Sequence, residues 1–536
     1  MNRSNMGAAA IAAVLVATIA ATGVGQAIGT NPDFDLAAVE EEAYWYSRYS
    51  LGHLTMRSGM GETYVFDPTQ IDRMIASADA DPEDGDTVSL PLEPALLRTV
   101  YAAGDPAWTQ APDSADFATL RWGLASFDTR VTGSALGWTI VTELEWAKQF
   151  HIDASFGTPE DDFGAQGRFT GLLLTAMAVE QATAWIGLHA ADRTVRADDV
   201  DPFILLMALS DLARVLGAET MPRSDTNRYF DPEKAAAFRH AADEQFDRVL
   251  GVAIDGMTVR ETATAIQGLV WYASATDSAE RQALALERIG ELGALLIEAS
   301  KENAAERGYA LRGLIEVHRV IGSIDALRET RDLVEELADD FDFAYGIFAS
   351  QTTYTIDDVA AIVGGLNAAR RFGDADGRLI ERVLPGFFEA VVNLSGLQQS
   401  VPPTDSDKGA FEQGAPAIFY GYPGIPLSGE VGEFGVAPVF ASSVTFDPGT
   451  GEWIEIDGRF DTAGAMHTAS EFIWLHTDEV DGFPIVEPIA ATPPEPMPED
   501  VDAPRAGLSD FQNALIYLFI VLVGLTLVAL RGGTCN

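Results

Sequence analysis

Thr258–Ser274 reads TVRETATAIQGLVWYAS, and the phrase returns as NAAERGYALRGLIEVHRVIG at 303–322 and as TYTIDDVAAIVGGLNAARRFG at 353–373. Aligned on their Gly-Leu pairs, the three place Gly268-Leu269, Gly313-Leu314 and Gly365-Leu366 in one slot. A fainter copy at 161–182, DDFGAQGRFTGLLLTAMAVEQA, puts Gly171-Leu172 there too, and DDVDPFILLMALSDLARVLG at 198–217 echoes the third copy. Self-similarity of this kind marks stacked helical hairpins.

Each copy sets small residues at helical spacing: Ala263, Ala265 and Gly268; Gly308, Ala310 and Gly313; Ala360, Ala361 and Gly365. A glycine inside a helix costs about 1 kcal/mol relative to alanine, so its recurrence asks for a reason. Close approach of neighbouring helix backbones supplies one. The intervening segments 235–249, 278–300 and 324–338 carry more charge, as an outer layer around the small-faced helices would. After Leu397 the text turns Gly-, Pro- and aromatic-rich. PVFASSVTFDPGTGEWIEID at 438–457 then alternates on both sides of Asp447–Gly451, which predicts a β-hairpin. A last helix is expected from Ala463 to Leu475.

The chain has 536 residues, 47% of them hydrophobic, enough for one large core. Acidic residues outnumber basic ones 81 to 34, and the formal charge is −47. The acid is spread along the whole length, and only Lys148, Lys234, Lys301 and Lys408 are lysines. Such a balance resembles proteins of extreme halophiles, in which carboxylates hold water and cations at the surface. Nucleic acid is excluded as a partner, because phosphate binding needs a basic footprint and none is visible. Cys535 is the one cysteine, so no intrachain disulfide and no Cys-based zinc site can form. No cofactor and no metal is expected.

The two ends carry apolar runs. Residues 1–27 read as a signal peptide or an N-terminal anchor. Phe511–Leu530 is free of charge and about 20 residues long, sufficient to span a bilayer. Asp510 before it and Arg531 after it leave 531–536 as a cytoplasmic tail. Residues 28–483 would then be an extracellular helical domain and 484–510 a Pro-rich acidic stalk, on a single-pass protein of the cell membrane whose C-terminal helix meets the lipid bilayer. Asn393-Leu394-Ser395 is a glycan acceptor sequence on an exported chain.

Small-faced helices alternating with charged ones, with Gly268, Gly313 and Gly365 spaced 45 and 52 residues apart, resemble the (α/α) six-hairpin toroids. The resemblance is architectural and covers roughly 115–475. It implies an all-α fold with a small β element near the C-terminal end of the ectodomain. An open α-solenoid of the HEAT type is the alternative. Many such toroids look like glycoside hydrolases, epimerases or polysaccharide lyases, with substrate bound at the mouth where the inner helices begin. Carried onto this chain, the resemblance puts Asp162, Glu261, Glu306 and Asp358 on that rim as catalytic candidates, Asp162 and Asp358 first among them. Acid in the first turn of a helix also offsets the macrodipole without any substrate, and both roles stay open at this point.

Other constellations are local. Phe411, Tyr420 and Tyr422, in a Gly/Pro-rich stretch, offer flat faces for a sugar or an apolar partner, or else plug the mouth. His53, Met56 and Met60 share a helical face, as core residues or as soft metal ligands. His467, Glu471 and His476 gather on the last helix without the HExxH spacing, so the first two are expected to pair across one turn. The loop Asp79–Asp86 lacks the glycine and the bidentate glutamate of a calcium loop. No nucleophile elbow or phosphate-binding loop occurs.

The sequence therefore describes an envelope binding or scaffold module whose partner is a surface glycan or another envelope protein. A carbohydrate-active enzyme using carboxylates at the mouth is the alternative. A third is an exported subunit of a membrane respiratory or metal-handling assembly.

Overall fold

A computed structural model describes residues 34–52, 54–55, 63–64, 66–79, 97–98, 122–123, 131–153, 162–190, 199–222, 224–373, 377–398, 433–434, 440–457, 461–476 and 482–489. Thirteen α-helices lie among them. They are α1 Leu36–Gly52, α2 Pro68–Ala78, α3 Gly133–Asp153, α4 Asp162–Ala190, α5 Asp201–Gly217, α6 Pro232–Leu250 and α7 Val259–Ala275. The rest are α8 Ala279–Glu298, α9 Ala304–Ile321, α10 Ile324–Asp340, α11 Ile356–Phe372, α12 Gly377–Phe387 and α13 Thr462–His476.

Six of these form a closed ring. In order, α3 packs on α5, α5 on α7, α7 on α9, α9 on α11, α11 on α13, and α13 returns to α3. The return is pinned by Thr142 Oγ1, 2.8 Å from Ser470 Oγ and 3.0 Å from the Met466 carbonyl oxygen. A solenoid leaves its first and last repeats apart, so this contact settles the choice: the fold is a closed helical toroid. The outer layer follows the same order, with α4 on α3, α6 on α5, α8 on α7, α10 on α9 and α12 on α11. The sixth outer helix is α1, which packs on α13 and so joins the two ends of the chain.

Burial separates the layers as the composition requires. On α7 every residue from Thr262 to Ala273 is buried, whereas α10 buries only Ala326, Thr330, Leu333, Val334 and Leu337. The latter is the i, i+4, i+7, i+8, i+11 stripe of a surface helix. The repeated glycines sit where inner helices cross. A Cβ on Gly268 would stand 2.5 Å from the Phe203 carbonyl oxygen of α5, and one on Gly365 would collide with the Gly308 carbonyl of α9.

One expectation is corrected. The faint copy at 161–182 lies in the outer helix α4, and the inner place falls to α5, the segment that only echoed the third copy. At Gly171 the tightest neighbour is a side chain, since a Cβ there would strike the Tyr229 hydroxyl before it met the Ala147 carbonyl oxygen of α3. Gly167–Gly187 is apolar and long enough to cross a membrane, yet it is mostly buried inside the fold.

The expected hairpin is present as strands Ser443–Asp447 and Glu452–Asp457, closed by Gly451 at φ 72°. A third strand, Thr353–Thr355, pairs antiparallel with Ser443–Asp447 and runs directly into α11. The sheet thereby fixes the start of α11.

Segment 482–489 is docked on the helices, and from Pro484 on it is the expected start of the stalk. Arg312 Nη2 donates to the Gly482 carbonyl at 2.8 Å and Arg319 Nη2 to that of Phe483 at 3.0 Å. Gln282 of α8 accepts from Ile489 N at 3.0 Å and donates to the Glu487 carbonyl at 2.9 Å. Residues 1–33 and 490–536 lie outside the described residues.

Candidate active site

The inner helices begin at one end of the barrel, and there a polar cluster assembles from four of them. Arg260 is the second residue of α7, Tyr309 the sixth of α9, Asp357 the second of α11 and His467 the sixth of α13. The Asp357 carboxylate is their common centre. Its Oδ1 lies 2.7 Å from His467 Nδ1, while its Oδ2 accepts from the Tyr309 hydroxyl at 2.6 Å and pairs with Arg260 Nε at 3.0 Å. Arg260 Nε also lies 3.3 Å from the Tyr309 hydroxyl oxygen. Trp138 of α3 stacks on the His467 ring, centroids 4.2 Å apart and planes 19° from parallel.

Asp461, just before α13, completes the cluster. Its Oδ2 and the Asp357 backbone nitrogen flank Gly464, 2.7 and 3.3 Å from where a Cβ on that residue would stand. Gly464 is what lets the two acidic segments meet. Solvent reaches the group: the Asp357 side chain is 18% exposed and that of Arg260 35%.

The electrostatics push the two acids apart. Burial alone would raise Asp357, but Arg260 and the contacts from His467 and Tyr309 outweigh it and hold the carboxyl well below its usual range. Burial raises Asp461, and the negative charge of Asp357 raises it further, with a backbone contact from Gly464 offsetting only part. One carboxyl is thus drawn below the ordinary carboxylate value beside another pushed above it. That pairing is how acid and base roles are divided between two like groups.

Below the cluster a polar column continues along the barrel. His467 Nε2 is 3.8 Å from Glu471 Oε1, as expected across one turn, and Arg312 Nε is 3.8 Å from the same oxygen. Both Glu471 and Arg312 are buried. His476 is exposed, with Nδ1 3.2 Å from the Glu40 carbonyl oxygen.

The acids expected on the rim are placed differently. Glu261 Oε2 accepts from Thr258 N at 2.6 Å and closes a capping box on α7. Asp358 does the same on α11, its Oδ2 accepting from Thr355 N at 2.8 Å. Glu306 Oε2 accepts from Glu302 N at 2.6 Å at the start of α9. Those three carboxylates are engaged with the backbone of their own helix starts, the helix-end role. Asp162 opens the outer helix α4 and therefore not an inner one. Asp357 escapes the sequence pattern although it adjoins Asp358. Neighbouring helical residues point about 100° apart, which turns one toward the cap and the other toward the barrel. The doubled acid in TIDDV, beside a His on the last inner helix, is the signal that could have found it.

Phe411, Tyr420, Tyr422, His53, Met56 and Met60 lie outside the described residues. Among the described residues no group of His, Cys, Asp and Glu is arranged to hold a metal ion. The Asn393 side chain is engaged in the fold: its amide donates to Glu42 Oε2 at 2.6 Å and accepts from the Tyr46 hydroxyl at 2.8 Å.

Fold and site together define a closed toroid of six helical hairpins with a carboxylate pair at the mouth of its inner barrel. No family model matches the chain, and no curated protein matches it. Among solved structures it is similar to the unsaturated glucuronyl hydrolase of Streptococcus agalactiae, at 10% identity and a TM-score of 0.39, over 79% of this chain and 98% of that one. A mutant of that enzyme gives 9% identity and a TM-score of 0.39, over 78% and 93%. At such a score the likeness adds nothing to the ring closure already visible in the helix contacts.

Proposed function

We propose that the protein is a carbohydrate-active enzyme that hydrolyses a glycosidic bond at the mouth of the inner barrel. The observation that carries this is the pair Asp357 and Asp461, at one solvent-reached point and with their ionisation driven in opposite directions. Glycoside hydrolysis asks for that division: one carboxylic acid protonates the leaving oxygen while an ionised carboxylate stabilises the positive charge that develops on the sugar, and water then adds at the anomeric carbon and returns a proton to the acid's carboxylate. Asp461 takes the first role and Asp357 the second. His467 and Tyr309 hold Asp357 in place, and Trp138 fixes the imidazole plane. In this reading residues 1–27 direct export and 511–530 anchor the enzyme outside a cell membrane, where surface glycans are the substrate at hand.

The test is turnover. The full-length chain is assayed for release of reducing ends from a panel of neutral and acidic polysaccharides, beside Asp461→Asn and Asp357→Asn. Each variant is expected to lose about 100-fold or more of the activity, the order of a general acid's contribution, with the thermal unfolding midpoint recorded as a check on folding. Wild-type protein that binds a polysaccharide without cleaving it would move the reading to a glycan-binding module. Variants that fold and retain full turnover would remove the carboxylate pair from the chemistry.

A further inference from the structure

The other end of the barrel carries a cleft of about 440 Å³, lined by Glu145 and Lys148 of α3, Arg214 of α5, Trp271 of α7, Met221 and the docked segment at Phe483. We propose that this cleft is a second ligand site, taking a small organic anion with a carboxylate group and a short carbon body.

Four observations converge on it. Lys148 is one of four lysines in a chain of net charge −47, and it is buried here, 2.5 Å from Glu145 Oε1 and 2.9 Å from Asp211 Oδ1. Arg214 lies over the Trp271 ring at 4.8 Å and meets Asp211 at 3.3 Å. With its side chain 32% exposed, the guanidinium keeps donors of its five for an incoming acceptor. The Trp271 indole nitrogen is fully buried and has no hydrogen-bond partner among the described residues. The Trp271 ring lines the cleft, so its indole N–H reports on what enters there. Last, burial raises the Glu145 carboxyl, and Lys148 offsets part of that rise. Of the two cations in the cleft wall, Arg214 is the one open to an incoming anion, its side chain 32% exposed against 9% for Lys148.

The walls decide against a bare inorganic ion. Met221 and Phe483 give the cleft an apolar side, and its volume falls in the range of small-molecule sites of about 300–1,000 Å³. A sugar acid has the right size and the single charge. The site is separate from the Asp357 cluster, and its existence does not depend on the reaction proposed there.

The probe is sodium gluconate, with sorbitol as its uncharged counterpart, titrated into the full-length chain at fixed ionic strength. Binding is followed by calorimetry and by the indole N–H resonance of Trp271, identified as the signal missing in Trp271→Phe. Gluconate is expected to bind and to shift that resonance, sorbitol to do neither, and Arg214→Gln to weaken gluconate tenfold or more. Arg214→Lys, which keeps the charge, is expected to retain more of the affinity than Arg214→Gln, and it serves as the comparison should the glutamine variant fail to fold. No gluconate binding, equal binding of sorbitol, an unmoved Trp271 signal, or a folded charge-removing variant with wild-type affinity would each overturn the proposal.

Discussion

Asp357 and Asp358 are one peptide bond apart and answer to pH in opposite senses. Asp357 is held well below the ordinary carboxylate value, with burial outweighed by Arg260, His467 and Tyr309. A depressed group stabilises the fold above its unfolded value of about 3.9 and loses that contribution as pH falls through the folded one. Asp358 is the reverse: burial lifts it from 3.8 to about 6, against the hydrogen bonds from Thr355. Its favourable state is the protonated one, fully present below pH 3.8 and lost as pH rises through about 6. Asp358→Asn keeps an acceptor for the Thr355 amide and cannot ionise. Its unfolding midpoint is therefore expected to gain on wild type between pH 4 and pH 7, by an amount on the order of 1–3 kcal/mol at the upper end. Asp357→Asn should lose stability at pH 7 and approach wild type as the pH drops toward 3. Thermal unfolding across pH 3–8 checks both, and parallel curves for the two variants would contradict the assignment of Asp357 to the barrel and Asp358 to the cap.

At the scale of the element, the glycines set how closely the inner helices cross. Gly308 and Gly365 meet face to face where α9 crosses α11, and Gly268 lies against the Phe203 carbonyl where α7 crosses α5. A methyl at Gly268 must push two buried backbones apart, and overpacking of this kind costs about 1–3 kcal/mol. Gly187 in α4 is exposed and a Cβ there meets nothing within 4 Å. Alanine at that position should stabilise by about 0.5–1 kcal/mol through helix propensity alone. Gly268→Ala and Gly187→Ala are thus expected to move the denaturant midpoint in opposite directions. The crossings were legible in sequence because a glycine that recurs inside helices carries a propensity cost, which a close helix approach offsets. The same repeat misplaced the Asp162 segment, since a Gly-Leu pair alone cannot separate an inner crossing from the contact of Gly171 with Tyr229. Its acids were misread for a related reason: a first-turn carboxylate that closes a capping box and one that turns into the barrel share a position in the pattern, and only helical phase tells them apart.

For the whole molecule, closure was beyond the sequence, because it rests on contacts between distant segments. Thr142 and Ser470 meet across the ring, and Ser47 of α1 donates to the Ala469 carbonyl at 2.5 Å while accepting from the Trp146 indole at 2.8 Å. No local spacing announces such contacts. The charge, in contrast, was fully legible, and it bears on how the closed ring survives. A formal charge of −47 on 536 residues repels itself most strongly in the compact state. Salt acts on two terms of opposite sign. It weakens surface ion pairs such as Arg328–Asp325 at 2.8 Å, each worth about 0–1 kcal/mol. It also screens the long-range repulsion, as the Debye length falls from about 10 Å at 0.1 M to about 3 Å at 1 M. With acids exceeding bases 81 to 34, most carboxylates have no basic partner to lose, so the repulsive term dominates. The thermal midpoint is expected to rise steadily from 0.1 M to 2 M potassium chloride. A midpoint that stays flat or falls over that range would mean that paired charges, and not the excess acid, set the electrostatic stability of the ring.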